Sequence, residues 1–216
     1  FEQQVGHVVF FSCTVMYQPC DTPVKESDFD ANTEIFPTYF GVGWTKVYIE
    51  KMCEFYSRIG NARYTVIRHS NIYGPHDKFD LERSHVFGAT ITKVMTAKDG
   101  DSIVVWGRGE EERDLLYVVD LVDFVRLAID KHESKFELYN AGCGSSISVS
   151  NLVKKIIASS GKGIKIEYSL SKPTIKTKLC LNIDKAKKSL GWYPKVSLDE
   201  GIKKTMDWYR TNIKIL

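Results

Sequence analysis

Hydrophobic positions in this chain follow two rhythms in turn. Residues 5–11 form a nearly unbroken apolar run, too short for a helix, and predict a buried strand ending in Ser12-Cys13-Thr14. The polar stretch from there to residue 37 holds three of the six prolines and many acids, and reads as a loop. Between residues 44 and 58 the period changes. Val47, Tyr48, Met52, Phe55 and Tyr56 recur at spacings of three and four, which predicts a long helix with Gly60 as its stop. Tyr64-Thr-Val-Ile67 is strand-like again. Strand, helix and strand in this order describe part of a parallel α/β sheet, where ligands bind beyond the carboxyl ends of the strands. Cys13 and Asn71 would share that rim.

Farther along, the pattern predicts helices near residues 86–97, 119–129, 149–159, 184–190 and 199–211, with short strands at 103–106 and 136–140. Ser148 and Ser150 offer caps to the third of these helices, and Gly191 a stop to the fourth. The expected class is α/β, a parallel sheet followed by a smaller lobe.

Composition narrows the partners. With 43% of 216 residues hydrophobic, the chain can bury a full core. Thirty basic against 27 acidic residues give a net charge of +3, far from the basic stripe that nucleic-acid binding by charge requires. The longest apolar runs fall well short of the roughly eighteen residues of a membrane span, so neither nucleic acid nor membrane is an expected partner. Cys13, Cys20, Cys53, Cys143 and Cys180 are odd in number and lack a Cys-x-x-Cys pair. That argues against a disulfide framework and a metal site, and fits a reducing cytoplasm. The first residues show no secretory signal.

The chemistry gathers in the middle: Arg68-His-Ser-Asn71-Ile-Tyr-Gly-Pro-His76-Asp77-Lys-Phe79, then Ser84-His85-Val86, then Val104-Val-Trp106-Gly-Arg-Gly109, and Arg113 seven residues past the tryptophan. In order and spacing these segments resemble the NAD-dependent epimerase/dehydratase family of extended short-chain dehydrogenases/reductases, and within it the GDP-L-fucose synthase branch. The resemblance implies the carboxyl-terminal part of a Rossmann-type parallel sheet with a smaller α/β substrate-binding lobe. Residues 1–72 would be the remaining half of the dinucleotide-binding domain and 73–216 mainly the lobe, with some segments returning to the sheet. It also implies NAD or NADP as cofactor, a nucleotide-diphosphate sugar as ligand, and a homodimer through the long helix.

Site residues follow by the same route. His85 would be an acid/base for epimerisation, while Asn71, Val86, Lys93, Trp106 and Arg113 would line the substrate. A guanidinium suits a diphosphate because its fork of donors matches phosphate oxygens. Lys176 and Lys178 could add charge there. Lys46 would grip the nicotinamide ribose, with Ser12, Asn71 and Arg68 also on the cofactor. Cys13 stands where the family has a Ser or Thr, and would act as base if its pKa were depressed.

Two departures stand out. The family's proton-shuttling tyrosine, four residues before the lysine, is Val42 here. Tyr39 lies about one turn, roughly 5 Å, too far along an unbroken helix, and could substitute only if Gly41 and Gly43 bent the chain back. Nor does any strand lead into Gly-x-Gly-x-x-Gly or Gly-x-x-Gly-x-x-Gly, the turns that hold a dinucleotide's pyrophosphate, so the sequence reads as a carboxyl-terminal portion.

Each assignment has a plain alternative. The plain alternative for His85 is a helix cap, for Cys13 a small buried hydrophobe, for Lys46 a solvated helix lysine, for Trp106 core, for Tyr39 packing, and for Arg113 a surface ion pair with Glu110 to Glu112. Apart from the epimerase/reductase, a sugar-nucleotide 4-epimerase or dehydratase and a non-catalytic sugar-nucleotide binder fit the same residues.

Overall fold

The computed structural model describes residues 5–172 and 178–213; Lys176 lies outside them. In chain order the elements are β1 (His7–Phe11), α1 (Phe40–Ile59), β2 (Arg63–His69), β3 (Asn71–Tyr73), α2 (Val86–Thr96), β4 (Ser102–Trp106), β5 (Glu112–Tyr117), α3 (Val118–Lys131), β6 (Phe136–Ala141), β7 (Ser146–Ser148), α4 (Val149–Ser160), β8 (Lys165–Ser169), α5 (Asp184–Leu190) and α6 (Leu198–Asn212).

A parallel sheet of order β1-β2-β6 carries the first half of the fold, with Phe11 beside Ile67 and Ile67 beside Tyr139. Its middle strand is buried because both edges are paired and both faces are covered. Alternation along β2 turns Ile67 toward the core that α3 and α5 complete with Phe124, Ala128, Ala186 and Leu190. The next residue, Arg68, points the other way and meets Glu50 of α1. Residues 136–141 thus return from the second half of the chain to the sheet.

The lobe has its own core, in which Phe87 and Ile91 of α2, Ile103 and Val105 of β4, Leu152 and Ile156 of α4 and Ile202 and Met206 of α6 pack around Tyr73. Gly201 is required there, since a Cβ at that position would stand 2.2 Å from the Tyr73 hydroxyl. Two small sheets frame this core: β3-β5-β7, with β3 parallel and β7 antiparallel to β5, and the parallel pair β4-β8. Among the described residues no helix is long and apolar enough to cross a membrane.

Among the described residues the hydrophobic rhythm located all six α-helices and the strands β1, β2, β4 and β6, and it overlooked four strands. β3 and β7 have three residues each, too few to show a period. β5 opens with Glu-Arg-Asp and β8 is half polar, so their pairing rests on backbone bonds that apolar patterning does not report. The long helix begins at Phe40 rather than 44 and runs through both glycines. Gly43 is there because a Cβ would come within 2.8 Å of the Ile35 side chain.

Candidate active site

A cleft between sheet and lobe has two halves that meet at Arg113. The half nearer the sheet is lined by Thr14, Val15, Tyr39, Asn71 and Glu112. The half within the lobe is lined by Ser84, Val86, Lys93, Trp106 and Glu111 over an apolar floor that includes Ile103 and Val149. Arg113 lines both. Pairing fixes it there: β5 lies between β3 and β7, with Arg113 opposite Ile147. Strand alternation then sends Asp114 inward, where its carboxylate accepts from the backbone N–H of Cys143 (2.7 Å) and Leu181 (3.0 Å). Burial pushes the Asp114 carboxyl up, and those amides oppose the shift. Gly142 permits the approach, because a Cβ would stand 2.7 Å from Asp114 Oδ2.

Burial likewise lowers the pKa of Arg113, against the pull of Tyr39 and Glu111. One of its Nη donates to the Glu112 carbonyl (2.8 Å). Lys93 reaches from α2 to donate to the Val104 carbonyl (2.8 Å), with its pKa lowered by burial. Trp106 ends β4 with its ring half exposed, and the Lys172 ammonium lies 5.7 Å from the ring centre. The structure therefore brings Val86, Lys93, Trp106 and Arg113 to one cleft, with Asn71 and Tyr39 in its other half.

On the sheet rim the picture divides. Lys46 projects from α1 to the end of β1, where Nζ donates to the Phe11 carbonyl (2.7 Å) and lies 4.9 Å from the Phe10 ring centre. Tyr39 precedes α1 as its first cap, so no bend at Gly41 or Gly43 brings it to the cleft; it enters because it stands outside the helix. Val42 is 47% exposed on α1.

Three expected roles are corrected. Arg68 does not face a cofactor: it is 4% exposed and ion-paired with Glu50 (Nη2 to Oε2, 2.6 Å), and Nη1 donates to the Tyr17 hydroxyl (2.9 Å) and the Glu26 carbonyl (3.1 Å). Ser12 is fully buried and donates to Glu50 Oε1 (2.5 Å). Tyr17 continues the network to Asn140 (2.8 Å), which ties β6 to the Val24 carbonyl. A buried ion pair demands such complete partnering, since each charge has lost its water. Cys13, expected to act with a depressed pKa, has the opposite shift. Burial pushes the thiol up, and the lowering effects of the Val15 amide, Lys46 and Arg68 do not overcome it. It packs beside Met16, Ile35 and Val47.

His85 caps α2 and is exposed, with its neighbours Ser84 and Val86 in the cleft wall. Its charge is felt by Asp77, whose carboxyl burial pushes up, and by His69 at the end of β2. Sequence reasoning missed His69, Thr14 and Glu111. His69 accompanies the strand-end motif, Thr14 directly follows the position matched to the family, and Glu111 looked like one of a run of solvated acids.

For a dinucleotide, the chain offers a partial fit. Lys46 stands at the strand ends with its ammonium accessible to a ribose. One glycine of each pair, however, is taken up by packing: Gly43 of Gly41-Val-Gly43 against Ile35, and Gly142 of Gly142-Cys-Gly144 against Asp114. Neither forms a cradle for a pyrophosphate.

These features agree with what the chain resembles. Residues 1–142 match the family model "NAD dependent epimerase/dehydratase family". GDP-L-fucose synthase of Azorhizobium caulinodans is 29% identical over all of this chain and 69% of its own length. GDP-L-fucose synthase 1 of Arabidopsis thaliana is 31% identical over 99% of the chain and 66% of its own. Among solved structures, UDP-glucose 4-epimerase of Thermotoga maritima with UDP-glucose superposes with a TM-score of 0.84 at 28% identity, covering 99% of this chain and 66% of that one. The chain spans about two thirds of the length of these relatives. With its Rossmann-type sheet, its lobe and its matched motifs, it belongs to the NAD-dependent epimerase/dehydratase family.

Proposed function

We propose that the chain holds a nucleoside-diphosphate sugar across the cleft and serves an NAD(P)-dependent epimerase/reductase acting on a 4-keto-6-deoxy sugar, as in the GDP-L-fucose synthases it resembles. The position of Arg113 carries the reading. It stands where the two halves of the cleft join, as a diphosphate stands between nucleoside and sugar, and its donor fork matches phosphate oxygens. Lys93 adds a second cation on the nucleoside side, and the exposed face of Trp106 offers a surface for a base. Asn71, Thr14 and Tyr39 would then meet the sugar.

A keto group acidifies the neighbouring C–H bonds, so a positioned imidazole can move a proton at the ring. His85 is the group for this, exposed at the start of α2 beside Asp77. Lys46 would hold the nicotinamide ribose, and the cofactor, NAD or NADP, supplies the hydride when bound. Exposed Tyr48, Phe55 and Ile59 recur along one side of α1 and suit a second copy of the chain.

Calorimetry with GDP and UDP, each with and without an attached hexose, tests the reading; no binding of any of the four would end it. His85→Asn should abolish solvent-deuterium exchange at the sugar carbons beside the ketone without weakening nucleotide binding. An undiminished exchange rate rejects His85. A second reading, a sugar-nucleotide binder without catalysis, is favoured by Val42 in the shuttle position. Activity appearing from none in Val42→Tyr would support it.

A further inference from the structure

Val42 leaves one chemical task without a side chain. Taking a proton from a C–H bond beside a ketone drives electrons onto the carbonyl oxygen, which then needs a proton of its own. Near Lys46 stands a titratable group with no part in this so far: His69, the last residue of β2, half-buried at the carboxyl end of the sheet where ligands bind. Its place is set through Phe11. The Phe11 carbonyl accepts from Lys46 Nζ (2.7 Å), and the Phe11 ring meets the His69 ring edge-on, with 6.3 Å between centres. His69 Nδ1 lies 2.8 Å from the Ser70 carbonyl, and because a carbonyl only accepts, Nδ1 must carry the hydrogen. That fixes the tautomer. Nε2 is left as the basic nitrogen, and among the described residues no group hydrogen-bonds to it.

We propose that His69 carries the proton to and from the ketone oxygen of the sugar through Nε2, a task that Val42 cannot perform. The inference rests on the sugar-nucleotide reading of the cleft and on His85 as the base. In the step, His85 takes the proton from the carbon beside the ketone, so that C–H bond breaks and its electron pair forms a C=C bond. The carbonyl π pair takes the proton from Nε2 of the His69 imidazolium, which forms an O–H bond and leaves His69 neutral. One ring gains a proton as the other loses one, so no charge accumulates. Burial lowers the pKa of His69, and the charges of Lys46 and His85 lower it further against the pull of the Ser70 carbonyl. Its imidazolium therefore gives up a proton readily. The same influence of His85 places the two rings close enough for the charge of one to act on the other.

Solvent-deuterium exchange into a bound GDP-4-keto-6-deoxyhexose, followed by proton NMR at the carbons beside the ketone, tests this on the unsubstituted protein, His69→Ala and His69→Gln. Each variant should exchange about 100-fold more slowly, the lower end of what a positioned proton donor contributes, while calorimetric affinity for the sugar nucleotide stays within about twofold. Free imidazole in the buffer should restore part of the rate to His69→Ala, because it can enter the vacated space and carry the proton. If His69→Ala fails to fold, the rate of His69→Gln and its recovery on adding Val42→Tyr decide the matter. An exchange rate preserved in the variants overturns the proposal, and the reading of the cleft survives it if His85→Asn still abolishes exchange. A loss that neither imidazole nor Val42→Tyr repairs gives His69 a structural part and equally overturns it. So does a protein that binds the sugar nucleotide yet exchanges nothing, which favours a binder without catalysis. Failure to bind removes the reading of the cleft and this proposal together.

Discussion

Two strand arginines, Arg68 on β2 and Arg113 on β5, do opposite things. Arg68 lies beneath α1, where Glu50 meets it in the interior with Tyr17 and the Glu26 carbonyl filling its remaining valences. Arg113 lies in the cleft wall, where one Nη donates to the Glu112 carbonyl and the charges of Tyr39 and Glu111 act on it, while the inward-facing acid of its strand, Asp114, is engaged by backbone amides. Arg68 therefore joins elements of the fold, whereas Arg113 lines the space where a ligand would lie. Residue type did not separate them. What did was place in the fold: Glu50 of the overlying helix encloses Arg68, while Arg113 lines the cleft.

The comparison breaks most readily at Arg68. Arg68→Ala leaves the Glu50 carboxylate buried and unpaired, and should cost about 3–5 kcal/mol of stability in urea unfolding. Arg113→Ala should cost under about 1 kcal/mol in the same assay, as expected away from the core networks. Its effect should appear instead as about a 10- to 100-fold loss of GDP affinity by calorimetry, the worth of a charge-assisted contact. Equal stability losses in the two variants would dissolve the contrast.

Acid sharpens it. His7, His69 and His132 all belong to the sheet or its flanking helix, and burial lowers the pKa of each below 6.5, with the His7 charge adding to the effect on His132. A lowered histidine favours the neutral form in the folded state, so its contribution is complete above pH 6.5. Below that value the unfolded chain binds protons that the folded chain refuses, and stability falls. Thermal melts should therefore decline from pH 7 to pH 5, and His132→Asn should flatten the decline. An unaltered slope in that variant would remove His132 from the account.

The smallest effect concerns thiols. Cys13 is half-buried with a raised pKa, while Cys20 is exposed and its thiolate is favoured by hydrogen bonds at Thr22. Iodoacetamide at pH 7.5 should label Cys20 well before Cys13, as peptide mass spectrometry would show. Faster labelling of Cys13 would restore it as a base.

Much of the site was legible in one dimension because its residues lie close together in sequence. Val86 and Lys93 are seven apart, two turns of one helix, so their joint presence in the cleft follows from helical geometry. Trp106 and Arg113 bracket a single turn. The residues that misled lie on the other rim. Ser12 and Arg68 carry polar groups at strand ends, where ligands bind, and nothing local revealed that Glu50, on a helix between them in sequence, would claim both. Tyr39 was misjudged for a related reason. Its reach depended on where α1 begins, a boundary that glycine content obscured.

The sequence by itself determined the helices, the principal strands and the order of motifs that mark the family, because periodicity and spacing are properties of neighbours along a chain. Tertiary structure alone decided which charges are satisfied internally. The partners of Arg68, Asp114 and Asn140 come from distant segments, and whether a buried group finds its counterpart there is settled by packing that no local pattern encodes.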